Sequence, residues 1–521
     1  MVENKKSNLE TRPDARRRHG VYISYVYTAV QVIVNFLYVP IVLSTIGRDE
    51  YGLYQTVGSV MAYIVSINSV LAAGVGRYYS MYKAEDDERM MENTLAIAKR
   101  LYWMLSAVAL LAVAIIIPFF RNAYSASLSN AQLDECAAML LIMAVNTVVT
   151  FNNTIYVAAI NANERFVFLK LVSIVTLVAQ PFIILLVARL WPTAVVITCV
   201  ILIMNVVSAA LQEMYARHFL RVRCSFHGWD RKLVKGLLIF SAGIILVTVA
   251  DQIFWSSSNL VIAFFYGAGP VAVFAVGSQV YKAYLSAGTG IAGVFFQRVS
   301  ELYHRDHDMR GISALFTKVG RIAFLACSLI LGGFIVFGRD FISIWAGEGY
   351  GDAYLIAITV MIPMTVDLIQ NLALTILQVM DRYYFRGVVY LLLAIANVLI
   401  SISVVPKYGI VAAALSSGIC MLLGNGVVMN LYYWKVAGLD IPAFWKSVFQ
   451  LVLPFAAVTL ISAIVYWSMP FGHGGLIMFI AGGAVYLVIY LLFMWRFGMN
   501  DYEKGQISHL LNKFGRIAKH G

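Results

Sequence analysis

The chain is short of charge. Asp, Glu, Lys and Arg make up 13% of its 521 residues, about half the share of an ordinary soluble domain. That scarcity excludes a string of soluble domains, which the length alone would allow. Cysteine is scarce as well. Cys136, Cys199, Cys224, Cys327 and Cys420 are scattered without a CxxC pair, so no metal or redox spacing exists and small apolar side chains describe them. No Gly-Lys dipeptide occurs, which removes the Walker A loop that cradles a triphosphate. Long polar stretches are also missing, which leaves no room for an ATPase, glycosyltransferase or polymerase domain. The chain reads as something other than an enzyme, with no catalytic residues, cofactor or metal.

What is present is apolar: hydrophobic residues are 61% of the chain. A helix that crosses a bilayer needs roughly 20 such residues at 1.5 Å each. About fourteen runs qualify, at 21–46, 54–80, 101–120, 134–160, 166–188, 192–216, 236–265, 271–297, 313–337, 353–380, 384–406, 409–434, 446–469 and 473–495. They are too long and too unbroken for barrel strands, so helices are required. The first run is also too long for a cleaved signal segment. A GxGxxG at Gly288, Gly290 and Gly293 lies inside the eighth run. It therefore lacks the strand and soluble helix of a dinucleotide site, and its glycines serve helix packing or bending.

Charge orients the runs. With the N-terminal tail in the cytoplasm, 33 of the 39 Lys and Arg residues fall on the inner side. Five (Arg48, Arg121, Arg189, Arg339 and Lys407) fall outside, and Lys282 lies within a span. This is the positive-inside pattern. It accounts for the net charge of +12 through contact with anionic lipid rather than nucleic acid. The predicted organisation is a basic cytoplasmic tail (1–20), an N-lobe (21–216), a cytoplasmic loop (217–235), a C-lobe (236–434), a final helix pair (446–495) and a cytoplasmic tail (496–521). "AEDDER" (84–89) reads as a solvated inner loop or helix start; "YHRDHDMR" (303–310) has residue types that bind metals but reads as a solvated inner loop.

The chain repeats weakly. "STIGRDEYGLYQTVGSV" can be laid on "FFYGAGPVAVFAVGSQV" about 220 residues later, with Gly47 on Gly267. Six spans followed by six with the same orientation imply two pseudo-symmetric lobes, and transporters built this way bind cargo between them. The same residues carry a resemblance. "LSTIGRDEYGLYQTVGSVMAYI" with "LAAGVGRYYS", then "NLVIAFFYGAGPVAVFAVGSQVYKAY" and "FGRDFISIWAGEGY", resemble polysaccharide-export flippases of the multidrug/oligosaccharidyl-lipid/polysaccharide exporter superfamily. The resemblance implies an all-α, two-lobed transporter of lipid-linked oligosaccharides on polyprenyl pyrophosphate, for cell-surface polysaccharide synthesis. It also implies membrane lipids as partners, with a polysaccharide polymerase and glycosyltransferases nearby. A cation-coupled multidrug exporter of the same superfamily is the alternative.

Three charges lie deep in spans: Asp251, Lys282 and Asp367. Each costs about 2.5–3.5 kcal/mol at the bilayer centre on insertion scales, so all three are expected to face the interior. Asp251 and Lys282 either form a buried structural pair or line a cavity. In the second case Lys282 is a point charge for pyrophosphate, and Asp251 or Asp367 is a site for coupling to H⁺ or Na⁺. Gln370 and Asn371 follow Asp367 at i+3 and i+4, on its own face. Gln31 and Asn35 make a polar stripe on the first span. Arg77, near the inner end of the second, suits bidentate phosphate contact. Some superfamily flippases carry several deep arginines; by span position, only Lys282 is deep here.

Overall fold

The structure, a computed structural model, describes residues 23, 26–28, 30–289, 295–305, 307–468 and 475–505. The basic N-terminal tail, Gly290 and Gly293 and most of the C-terminal tail lie outside these. The described residues are helical and contain no strand. In chain order the helices are α1 (Val26–Ile46), α2 (Arg48–Ala84), α3 (Glu88–Tyr124), α4 (Asn130–Ala162), α5 (Phe166–Ala188) and α6 (Ala194–Met214). Then follow α7 (Arg231–Tyr266), α8 (Ala268–Thr289), α9 (Phe296–Ser300), α10 (Met309–Ala346), α11 (Asp352–Ile369) and α12 (Leu372–Val379). The last are α13 (Tyr384–Tyr408), α14 (Val411–Met421), α15 (Met429–Lys435), α16 (Ile441–Ser468) and α17 (Leu476–Phe497). Among the described residues, 12 helices are long and apolar enough to cross a membrane, and α7 and α8 occupy the seventh and eighth predicted spans. Side chains such as Ile477, Leu453 and Leu186 are mostly exposed, as expected where lipid is the solvent. The chain is a multi-pass membrane protein.

Local chemistry sets the helix ends. Asp87, within the acidic 84–89 stretch, caps α3 by accepting the Met90 N–H at 2.9 Å. Asp308, from the His/Asp-rich 303–310 stretch, caps α10 through Gly311 N–H at 2.8 Å. Both stretches are helix starts, as side-chain acceptors at N-caps satisfy donors the helix cannot. At the opposite ends of these hairpins stand glycines. Gly47 (φ 85°), Gly267 (φ 75°) and Gly409 (φ 79°) each form a one- or two-residue joint between consecutive helices, and Gly347 (φ 91°) ends α10. All four combine positive φ with extended ψ, a region essentially restricted to glycine. The Gly47/Gly267 match in the repeat is thus a shared backbone conformation.

The chain forms two compact units, residues 1–272 and 273–521. Within the first unit α7 packs along α2. Asn259 donates to Ser59 Oγ at 2.9 Å, Arg48 Nε to the Gly269 carbonyl at 3.0 Å, and Tyr124 OH to the Leu260 carbonyl at 3.1 Å. Gly52 makes this approach feasible, since a Cβ there would overlap the Ala268 carbonyl. Gly52→Ala is therefore expected to lower the thermal unfolding midpoint, at a cost of about 1–3 kcal/mol as for other overpacked sites. The control Gly58→Ala, also inside α2 but where a Cβ meets nothing, should raise it slightly, as alanine is favoured over glycine by about 0.5–1 kcal/mol in a helix interior.

In the second unit α10 is the hub. Phe316 stacks on Phe444 of α16 at 4.6 Å. Tyr490 of α17 bonds Ser328 at 2.7 Å and the Leu325 carbonyl at 2.8 Å. The final helix pair is thereby built into the second unit. Pro363 in α11 has no N–H for the Thr359 carbonyl, and Gly418 of α14 leaves space there: a Cβ would lie 2.8 Å from that oxygen.

Candidate functional site

The core of the first unit includes two apolar clusters. One gathers Leu53, Val57, Met61, Val113, Met139 and Ala144; the other gathers Leu71, Val75, Tyr102, Phe151 and Ile155. Between them, near the middle of the helices, lies a belt of neutral polar side chains. Asn205 of α6 donates to Asn146 of α4 at 2.9 Å, and Asn153 donates to Gln212 at 2.6 Å. Thr154 donates to Asn68 of α2 at 3.0 Å, and Asn152 to Ser106 of α3 at 3.3 Å. Spacings of three and four along α4 place Asn146, Thr150 and Asn153 on one face. The Asn152 and Asn153 carbonyl oxygens are buried with no hydrogen-bond partner among the described residues. A buried amide oxygen without a partner is costly, so the belt holds unspent hydrogen-bonding capacity. These residues were not singled out from sequence, although "TFNNT" (150–154) inside an apolar span was the available signal.

The deep charges are distributed between the units. Asp251 belongs to the first unit, Lys282 and Asp367 to the second. Lys282 is exposed on α8, between buried Tyr281 and Tyr284, and forms no salt bridge among the described residues. Asp251 is partly buried. Asp367 meets a cation the sequence reading did not place there: Arg386 Nη2 lies 3.3 Å from its Oδ1. Arg386 also donates to Tyr390 OH at 3.3 Å, with its guanidinium 4.8 Å over that ring, and Tyr390 OH donates to Asp367 Oδ2 at 3.5 Å. Arg386 and Tyr390 are i, i+4 on the first turns of α13. The Arg386 side chain is 10% exposed and the Asp367 side chain 19%. Lys282 is thus not the only deep cation.

The helix beyond Asp367 also departs from expectation. It breaks after Ile369, so Gln370 and Asn371 do not continue the aspartate's face. Gln370 exchanges hydrogen bonds with Asn430 at 2.8 and 3.2 Å. Asn371 reaches the Thr289 carbonyl at 3.3 Å. Asn430 in turn donates to the Asn425 carbonyl at 2.6 Å and accepts from Trp445 at 2.8 Å. Asn425 sits in a π-helical turn, Leu422–Val428, and donates to Tyr390 at 3.3 Å. Irregular backbone in a membrane helix occurs where polar partners satisfy it, and π-turns favour functional positions. In α1, Gln31 is half-buried and Asn35 exposed; Arg77 is exposed on α2. Among the described residues no cluster of His, Cys, Asp and Glu could hold a metal ion.

Comparison with solved structures shows the same fold at low sequence identity. The lipid II flippase MurJ, in an inward closed conformation, superposes with a TM-score of 0.68 at 15% identity, covering 91% of this chain and 99% of that one. An inward-facing multidrug resistance MATE transporter of the MOP superfamily gives 0.67 at 13% identity, covering 81% and 99%. A MOP superfamily transporter from Pyrococcus furiosus, whose binding pocket is described as reversed in polarity, gives 0.55 at 14% identity, covering 82% and 93%. No functionally curated protein matches the sequence. The profile of the polysaccharide biosynthesis protein family matches residues 18–302, more than half of the chain. That match makes the chain a member of the polysaccharide biosynthesis protein family.

Proposed function

We propose that the protein is a flippase for a lipid-linked oligosaccharide of the polyprenyl-pyrophosphate type. It carries the headgroup from the inner to the outer leaflet of the cell membrane, with both termini cytoplasmic. The observation that carries this reading is the neutral belt at mid-depth in the first unit. Amides and hydroxyls match the donors and acceptors of a sugar, whereas a cationic drug would be drawn to carboxylates. Exposed Lys282 supplies a positive charge for the pyrophosphate, and Arg77 a second guanidinium contact. Gln31 and Asn35 extend the polar surface of the first unit. The family match supports polymer synthesis as the setting, with a polymerase and glycosyltransferases as functional partners.

A cation-coupled multidrug exporter remains the second reading, favoured by the equally good superposition on a MATE transporter. In that reading Asp251 is the better H⁺ or Na⁺ site, since Asp367 already holds a guanidinium.

The test is headgroup flipping in liposomes, using purified protein and a fluorescent polyprenyl-pyrophosphate oligosaccharide. Lys282→Ala and Asn153→Leu are expected to slow flipping about tenfold or more, equivalent to about 1.4 kcal/mol or more, with folding intact. Wild type that exports ethidium along an ion gradient but flips no lipid would establish the exporter instead.

A further inference from the structure

The first unit contains a second polar site, away from the belt. It is a cavity of about 350 Å³ at the basic end of the helices. Tyr79 lines it from α2, Glu88 and Glu92 from the first turns of α3, and Asn163 from the end of α4. Arg221 and Arg223 line it from the extended segment that follows α6. The walls are anchored by other groups. Lys83 Nζ donates to Asn163 Oδ1 at 2.7 Å and to the Ala162 carbonyl at 2.8 Å. Glu92 faces His227 at 3.1 Å. Asn93, buried, holds the segment at two points: it accepts the His227 N–H at 2.9 Å and donates to the Gly228 carbonyl at 3.1 Å. Arg100 lies over the Phe226 ring at 3.3 Å. Arg221 itself has φ 54°, at a helix-end position where glycine is the usual residue. A long cationic side chain therefore occupies a place that backbone conformation does not favour.

The charges decide what fits. Two carboxylates and two guanidiniums line the cavity, so their formal charges balance and a simple anion or cation would meet like as well as opposite charge. A ligand with both signs satisfies both pairs. Guanidiniums are matched to phosphate oxygens. Carboxylates accept N–H bonds, which a primary ammonium offers and a quaternary one does not; quaternary ammonium is held instead by aromatic cages, and among the described lining residues Tyr79 alone is aromatic. We propose that this cavity binds a zwitterion carrying a phosphate and a primary ammonium, the chemistry of a phosphoethanolamine headgroup. Arg221 and Arg223 take the phosphate; Glu88 and Glu92 take the ammonium. One wall is the segment leading into α7, so occupancy ties that segment to α2, α3 and α4 and can regulate its movement. The site is independent of the cargo reading.

The test is native mass spectrometry of the full chain in detergent with equimolar phosphatidylethanolamine, phosphatidylcholine and phosphatidylglycerol. Wild type is expected to retain phosphatidylethanolamine about fivefold over either competitor, equivalent to about 1 kcal/mol. The Arg221→Gln/Arg223→Gln double variant and Glu88→Gln should each lose that preference. All these side chains are exposed, so folding should survive, checked by an unchanged unfolding midpoint. Free phosphoethanolamine then separates the sources: displacement of the lipid indicates a soluble ligand, and retention a bilayer lipid. Equal retention of the three lipids by wild type, unaltered preference in the variants, or displacement by inorganic phosphate alone would each overturn the proposal.

Discussion

Glu503→Ala is expected to lower the unfolding midpoint more than any surface substitution, at a cost of about 3–5 kcal/mol, the usual loss when one partner of a buried ion pair is removed. Arg321 on α10 and Glu503 are 4% and 3% exposed. They bond in parallel, Nε to Oε1 at 2.5 Å and Nη2 to Oε2 at 3.0 Å. The guanidinium also donates to the carbonyls of Ser447 at 2.5 Å and Gly498 at 3.1 Å. Glu503 closes a reciprocal pair with Asn500, each backbone N–H donating to the other side chain at 2.9 Å. One residue beyond the last span thus joins α10, α16 and the end of α17. Removing Glu503 leaves a buried guanidinium with only carbonyl partners. Because desolvating both charges is itself costly, Arg321→Met with Glu503→Leu should recover much of the loss. Thermal unfolding of the three variants in detergent checks both statements. A double variant no better than Glu503→Ala would mean that the backbone contacts of Arg321, not its charge partner, hold the helix pair.

Arg386→Ala should be comparably damaging, again about 3–5 kcal/mol, because among the described residues it leaves the Asp367 carboxylate with Tyr390 as its remaining hydrogen-bond partner. The informative variant is Asp367→Asn. If the carboxylate neutralises Arg386, this substitution destabilises the protein but leaves any H⁺ or Na⁺ dependence of transport unchanged. If Asp367 is a coupling site, ion dependence disappears first. Combining Asp367→Asn with Arg386→Gln should restore the unfolding midpoint in part, as close pairs are non-additive. Flipping rates across an imposed ion gradient, alongside the midpoints, separate the two roles.

The architecture was legible where it depends on local pattern. Apolar runs of bilayer length became helices, and the Gly47/Gly267 match proved to be one backbone conformation used twice. What local pattern does not reveal depends on distant partners. Arg386 sits on the first turn of its span, where an arginine ordinarily reaches out to the interface; only the packing of α11 against it reveals an inward arginine. Gln370 looked like part of the Asp367 face because helical periodicity was carried through a break that Asn430 stabilises from elsewhere. The packing of α2 against α7 and the start of α8 includes a close approach of Gly52 to Ala268, which the glycine alone does not announce. The belt was spelled out in "TFNNT" (150–154), but its partners Asn68, Ser106, Asn205 and Gln212 are spread over three other helices.

The one- and two-residue glycine joints also bear on how the chain enters the bilayer during synthesis. Between α1 and α2, and between α7 and α8, a single residue separates one long apolar helix from the next. The α7/α8 turn, residues 264–271, carries no charged residue through the hydrocarbon, whereas the α1/α2 turn takes Arg48, Asp49 and Glu50 with it. Each pair can cross as a helical hairpin, its backbone hydrogen bonds already closed within the helices. Lengthening a joint with charged residues would turn that concerted step into the transfer of a polar segment, and insertion yield rather than folded stability would register the change.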